Sequence, residues 1–403
     1  MAPKTAKALN IADVASPPKK QNLFYNPTFR AIIFQIIAVL GLLFFFYNII
    51  NNALENLDAR GIATGFGFLN EEAGFGIGLT LIDYDETYTY GRTFFVGLLN
   101  TALVSVLGIF LATIIGFTVG IARLSSNWLI SRFAAFYIEI FRNIPLLLQI
   151  FFWYFAVLQA LPSPRQSLSI GESFFINVRG LYLAGPVFNE GSGWIFAALA
   201  LAIVLSIIYA IRSHKKQQDT GEQSPVLLTT IGMVIGLPLI AFFAAGMPVS
   251  IEYPELKGFN FRGGISILPE LAALLVALSI YTASFIAEIV RSGINAVNHG
   301  QTEASLALGL PRSKTLRLVV IPQAMRIIIP PLTSQYLNLT KNSSLAMAIG
   351  YPDLVSVFAG TTLNQTGQAI EIIAMTMGVY LSLSLTTSFF MNMYNKKVAL
   401  VER

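Results

Sequence analysis

The chain has 403 residues, 55% of them hydrophobic and only 12% charged, with a formal net charge of +5. Soluble domains carry roughly 25% charged residues, so this composition excludes a soluble enzyme, a disordered chain and a fibre. It leaves an all-α polytopic membrane protein, because the apolar runs are continuous and do not alternate over about ten residues as barrel strands do. There is no cysteine, hence no disulfide, thiolate nucleophile or cysteine-ligated metal. His214 and His299 lie far apart in polar stretches and make a poor metal site. In a membrane chain a positive balance reads as Lys and Arg gathered on the cytoplasmic face, not as nucleic-acid binding.

A helix needs about 20 apolar residues to cross the hydrocarbon. Eight runs qualify, near 31–50, 94–121, 133–160, 194–211, 225–247, 268–290, 319–339 and 370–393. Residues 1–30 form a polar tail. No small-residue cleavage site follows 31–50, so that run reads as a retained extra first span and not as a signal peptide. The connection 51–93 is rich in glycine and acids (Glu71, Glu72, Asp83, Asp85, Glu86) and reads either as a solvated linker or as a docking surface. With both termini inside, the inner segments 1–30, 123–132, 212–224, 291–326 and 396–403 hold 18 of the 26 Lys and Arg residues but 5 of the 21 acids. The outer segments 51–93, 161–193, 248–267 and 340–369 hold 7 basic and 12 acidic residues, which fits the positive-inside tendency.

Polar groups within spans are costly and turn to the protein interior. Glu139 and Arg142 are spaced to pair on one helix face, as are Glu288 and Arg291, either as structural ion pairs or as gating groups. Pro145 predicts a kink in the third span. In the seventh, Pro330 and Pro331 predict an interruption, tolerated where backbone lines a cavity. The polar residues Gln335, Asn338, Lys341, Asn342, Ser343 and Ser344 follow. They offer donors for a carboxylate and acceptors for an ammonium, the needs of a zwitterion, or else hydrogen bonds between helices and an outer-interface lysine. About 30 Å of helix separates Pro322 from Lys341, which favours an outer location for that ammonium.

The inner connection from Gly300 to Pro322 predicts a helix, a turn and a second helix. Thr302 offers a cap, Glu303 sits in the first turn, Gly309 can stop the helix in a left-handed conformation, and Pro311 can open the next. The pattern alone also suits an amphipathic connector resting on the bilayer.

Glu303, Ala304 and Ser305, then three residues, Gly309, nine residues, and Val319 through Ile321 and Pro322 resemble the EAA loop of ABC importer permeases. The stretch Tyr137 to Gln149, with Glu139, Arg142, Asn143 and Pro145, resembles the third-span signature of the polar amino-acid permeases. Gly97, Asn100 and Thr101 resemble the start of that family's core, and Glu288, Arg291 and Gly293 and Lys341 to Leu345 fit it too. The resemblance implies a type I permease core in 94–160 and 266–395, preceded by the span 31–50 and the periplasmic connection 51–93, and interrupted by an inserted two-span block, 161–265. That enlarged form resembles the large permease subunits of general L-amino-acid importers. It implies coupling helices in 301–316, with Glu303, Ala304, Ser305, Gly309, Leu310, Pro311 and Pro322 meeting the ATPase. It also implies a substrate path that includes Asn100 and Thr101. The implied partners are a cytoplasmic ATPase dimer, a periplasmic amino-acid-binding protein, a related permease subunit in a heterodimer and membrane lipid, in a bacterial inner membrane. The chain has no P-loop and no dinucleotide fingerprint, so no cofactor is expected on it, and ATP and Mg belong to the partner. The alternative is an ion-gradient-driven transporter, which would need carboxylates near mid-bilayer. The span acids Glu139, Glu270, Glu288 and Glu371 lie toward span ends.

Overall fold

The computed structural model describes residues 27–398 except Arg60, Ile62 and Ala63, so most of both expected tails, 1–30 and 396–403, lies outside the described residues. The chain divides into two units, 1–66 and 67–403. In the first, α1 (Pro27–Ala59) is a single helix of 33 residues, about 50 Å long and apolar all round.

In the second unit, residues 67–89 are not a bare linker. Phe68 is buried between the rings of Tyr90 and Phe358, at 6.2 and 6.1 Å. Ala73 N donates to Tyr88 O, and Arg92 donates twice to Asp83 O. The segment is thereby folded over the start of α2 (Tyr90–Arg123), with its five acids exposed.

The third span is broken. α3 (Trp128–Asn143) and α4 (Leu146–Leu158, π-helical from Phe152) meet at 106°. Pro145 has no N–H to donate, and it drives Ile144 into extended backbone (φ −96°, ψ 128°). Gln149 mends the corner: its amide donates to Phe141 O at 2.9 Å and Ile144 O at 3.0 Å. Among the described residues, seven helices are long and apolar enough to cross a membrane, or eight if this bent pair counts as one crossing.

α7 (Pro269–Asn295) is the hub. α2 runs beside it, and Gly116 and Gly120 allow the approach: a Cβ at Gly116 would stand 2.6 Å from Ile286 Cβ. α4 covers the outer half of α7, with Leu146, Ile150 and Leu158 against Leu271, Leu274 and Leu278, and Tyr154 OH donates to Glu270 at 2.9 Å. α10 (Ile321–Asn342) lies between α7 and α12 (Ala369–Val398). The expected interruption at Pro330 and Pro331 is absent: α10 is continuous. Both prolines are exposed while Ile328, Ile329 and Leu332 are buried, so packing on one face holds the helix that two lost N–H donors weaken on the other.

In the inserted block, α5 (Gly193–Thr220) and α6 (Val226–Ala244) pack chiefly on each other. The segments flanking this hairpin form eight short strands, which the apolar pattern did not reveal. β1 (Leu168–Ile170), β2 (Phe174–Asn177), β3 (Gly180–Leu183) and β8 (Ile265–Ile267) make one antiparallel sheet in that order. β4 (Gly185–Phe188) pairs with β5 (Val249–Glu252), and β6 (Glu255–Lys257) with β7 (Asn260–Arg262). Phe261 of β7 stacks near Phe175 and Tyr182, at 4.6 and 5.0 Å, and closes a small core.

Candidate functional site: a coupling turn and a polar stripe

α8 (His299–Ala307) starts one turn earlier than Thr302 suggested. Its cap is Asn298, whose side chain accepts from Gly300 N at 2.9 Å. Its end is a Schellman motif: Gly309 N donates to Leu306 O at 2.9 Å and Leu310 N to Ser305 O at 3.1 Å, with Gly309 at φ +80°. Pro311 then opens α9 (Arg312–Thr315), which runs through a π-helical turn, Leu316–Val320, into α10. Pro322 stands at the first turn of α10, where a missing N–H costs nothing.

Ser305 and Thr315 are buried, while Glu303, Ala304, Leu306, Gly309 and Pro311 are exposed and Leu310 is half-buried. Leu308 is 82% exposed at the tip. Glu303 meets His299 Nδ1 at 3.1 Å, one helical turn back, with both groups open to solvent. A cleft of about 730 Å³ lies between the end of α7, α8 and α9, lined in part by Asn298, Thr302, Glu303 and Arg312. Gln323 of α10 reaches Gln301 of α8 at 3.5 Å and ties the turn to the span. A rigid, exposed turn that continues into a membrane helix is suited to passing a push along that helix.

The second set of predicted residues separates into two groups. Asn100 and Thr101 are fully buried. Asn100 donates to Leu79 O and Pro352 O, at 2.8 and 2.9 Å, and Thr101 Oγ1 accepts from Leu354 N at 3.0 Å. They clamp α2 to the turn after the 3₁₀ segment Ser343–Ile349. Ser343 is also buried, donating to Thr340 O at 2.8 Å. The structure does not bring these three to the open face of α10. That face carries Ser334, Asn338 and Lys341, exposed at helical spacing, with Gln335, Asn342 and Ser344 half-buried beside them. Lys341 and Ser344 also border a groove of about 440 Å³ with Thr376, Tyr380 and Ser384 of α12.

Sequence reasoning missed Asp353, which is fully buried beneath this groove. It lies between the last two spans, and its Oδ1 accepts from Ser356 N at 2.8 Å as the cap of the helix that follows. Its Oδ2 accepts from Tyr380 OH at 3.3 Å. Burial pushes its carboxyl up to about 7, against the opposing pull of the Ser356 N–H and its other hydrogen bonds. A lone acid three residues before a serine was the available signal, a helix-cap spacing.

At the inner ends of the spans, the expected pair of Glu288 and Arg291 forms, with contacts of 3.0 and 2.5 Å. The expected pair of Glu139 and Arg142 does not form among the described residues: the Arg142 guanidinium lies 5.1 Å over the Phe285 ring, where α3 packs against α7.

A broken and a continuous helix around one hub, with an exposed turn at one end, define a multi-pass transport permease. The family model for the binding-protein-dependent transport system inner membrane component matches residues 224–400. A chain named as an amino-acid ABC transporter permease protein, YhdX, of Escherichia coli is 56% identical over 384 residues, covering 94% of this chain and 97% of that one. The general L-amino acid transport system permease protein AapQ of Rhizobium johnstonii is 53% identical over 95% of this chain and 96% of that one. The glutamate/glutamine/aspartate/asparagine transport system permease protein BztB of Rhodobacter capsulatus is 40% identical over 98% and 100%. The chain belongs to this family of amino-acid ABC transporter permeases.

Proposed function

We propose that the chain is one half of the membrane path of an importer for L-amino acids, acidic and amide side chains included. A related permease subunit supplies the other half. An ATPase dimer, which binds ATP and Mg, grips α8 and the Gly309 turn from the cytoplasm, and a periplasmic binding protein delivers substrate to the opposite end. Both termini lie on the cytoplasmic side of the inner membrane, the side that gathers the basic loops. The observation that carries the coupling role is the Schellman-capped turn, exposed at its tip and continuous with α10. Glu303, Ala304, Gly309, Leu310 and Pro311 form the contact, Ser305 sets the turn from beneath, and Pro322 begins the driven helix.

Substrate passes along the open face of α10. Asn338 and Lys341 line it directly, with Gln335, Asn342 and Ser344 at its edges and the α12 groove beside them. A lysine with hydroxyl groups around it suits a carboxylate. Asn100, Thr101 and Ser343 serve this path as framework. The reading is tested with the complete complex in proteoliposomes, by measuring ATP hydrolysis and uptake for each of the twenty amino acids. Uptake that follows ATP and ignores collapsed ion gradients supports it. Uptake driven by an ion gradient without ATP overturns it.

A further inference from the structure

The side of α3 that faces away from the bundle takes no part in the coupling turn or the polar stripe. At 106° to α4, α3 runs across the bundle instead of along it. Its start is tied to the end of α2, where Ser131 Oγ donates to Arg123 O and accepts from Arg123 Nη1, both at 3.0 Å. Its end reaches Phe285 through Arg142. Ala134, Ala135 and Ile138 are buried on the bundle side. On the other side Trp128, Leu129, Phe133 and Phe136 are each more than half exposed. With Arg132 and Glu139 they line a groove of about 480 Å³.

The charge around this apolar face is positive. Arg123 and Arg142 stand within electrostatic reach of Glu288, which is already paired with Arg291. Arg132 is exposed on α3 and makes no ion pair with a described residue. Four arginines (Arg123, Arg132, Arg142, Arg291) thus face two carboxylates (Glu139, Glu288), leaving two positive charges in excess. A helix with one apolar and aromatic face and a basic margin lies in a membrane interface, and a basic pocket at the cytoplasmic ends of spans suits anionic headgroups.

We propose that the outer face of α3 seats an anionic phospholipid of the cytoplasmic leaflet, its acyl chains along Phe133 and Phe136 and its phosphate at Arg132, within the field of Arg123 and Arg142. The proposal rests on the orientation given above, but its test reads lipid and not transport, so the two fail separately. The complete complex is placed in nanodiscs of equimolar phosphatidylglycerol and phosphatidylcholine, and the lipid it retains on re-extraction is weighed by mass spectrometry. The parent complex is expected to enrich phosphatidylglycerol. The variant Arg132→Gln/Arg142→Gln is expected to lose about fivefold of that enrichment per arginine, and Arg132→Lys/Arg142→Lys to keep it. Equal retention by the parent and the glutamine variant overturns the site. Because the chain has no cysteine, a spin label at Phe133→Cys reports that position alone. High accessibility to dissolved oxygen supports contact with acyl chains, whereas protection from oxygen in the assembled complex means that another subunit covers the face, and overturns the proposal.

Discussion

α6 and α7 are both apolar enough to span a membrane, and the more hydrophobic of the two is the less buried. α6 has a mean hydropathy of 2.4 over its best window and no buried side chain, whereas α7 has 2.0 and is the hub of the bundle. Hydrocarbon tails are as apolar as leucine, so hydropathy predicts a crossing without predicting what the helix touches. Close packing depends on small residues placed where another backbone arrives. Gly232 and Gly236 of α6 have nothing within 4 Å of an added Cβ, while Gly116 and Gly120 of α2 and Gly293 of α7 would each meet an atom within 3 Å.

Substitutions at these glycines break or sharpen the contrast. Gly116→Ala drives a methyl into Ile286 and is expected to cost about 1–3 kcal/mol and to lower the yield of assembled complex. Gly236→Ala is expected to be neutral or to stabilise slightly, since alanine is the better helix former by up to about 1 kcal/mol. Thermal unfolding of the purified complexes measures both, and equal losses would erase the distinction between hub and hairpin. Gly309 is a third case, with open space around it but a left-handed backbone at φ +80°. There the cost is conformational, about 1–2 kcal/mol for a β-branched residue. Gly309→Val is expected to insert and assemble yet lose substrate-stimulated ATP hydrolysis, while Gly309→Asn, which tolerates that backbone, retains most of it. Full coupling in the valine variant would remove the turn from the mechanism.

α10 combines both kinds of surface, one face packed and one open. Asn338→Ala and Asn342→Ala are expected to raise the KM for uptake several-fold with unchanged thermal stability. Ser343→Ala, on the packed face, is expected to cost about 1 kcal/mol of stability with KM unchanged. Initial-rate uptake alongside melting separates the two, and a KM change confined to Ser343→Ala would reverse the assignment.

The smallest effect is a pH dependence. Asp353 has its carboxyl raised to about 7 in the folded state, so the folded state holds a proton that the unfolded chain releases near 4. Its contribution to stability is therefore greatest at low pH and declines as pH rises from about 4 to about 7. Asp353→Asn keeps a cap for the helix after it and removes the titration. The variant is expected to show a flatter melting profile across that range, and parallel profiles would mean that the carboxyl titrates normally.

The coupling turn was legible because its determinants are local. A glycine at the stop and a proline at the next start act on neighbouring backbone, and only the cap moved, from Thr302 to Asn298. The corner at Pro145 was legible as a kink for the same reason, but its angle of 106° was not, since Gln149 and the packing of α4 on α7 set it. The paired prolines of α10 misled because the loss of two donors is a local penalty that burial of Ile328, Ile329 and Leu332 outweighs. The eight strands flanking the α5–α6 hairpin escaped notice because runs of three or four residues carry no readable period, and their partners lie up to about 80 residues away along the chain.

What the sequence determined by itself was the membrane class, the placement of the crossings, the charge asymmetry between the two ends and the turn at Gly309. Each follows from transfer energetics or from backbone conformation within a few residues. Only the tertiary structure decided which apolar helices form the bundle and which stand apart, that Asn100 and Thr101 are framework, and that Arg142 stacks on Phe285 instead of pairing with Glu139. Those outcomes depend on which surfaces meet, and between protein and hydrocarbon of equal polarity that choice rests on shape and hydrogen bonding between residues distant in the chain.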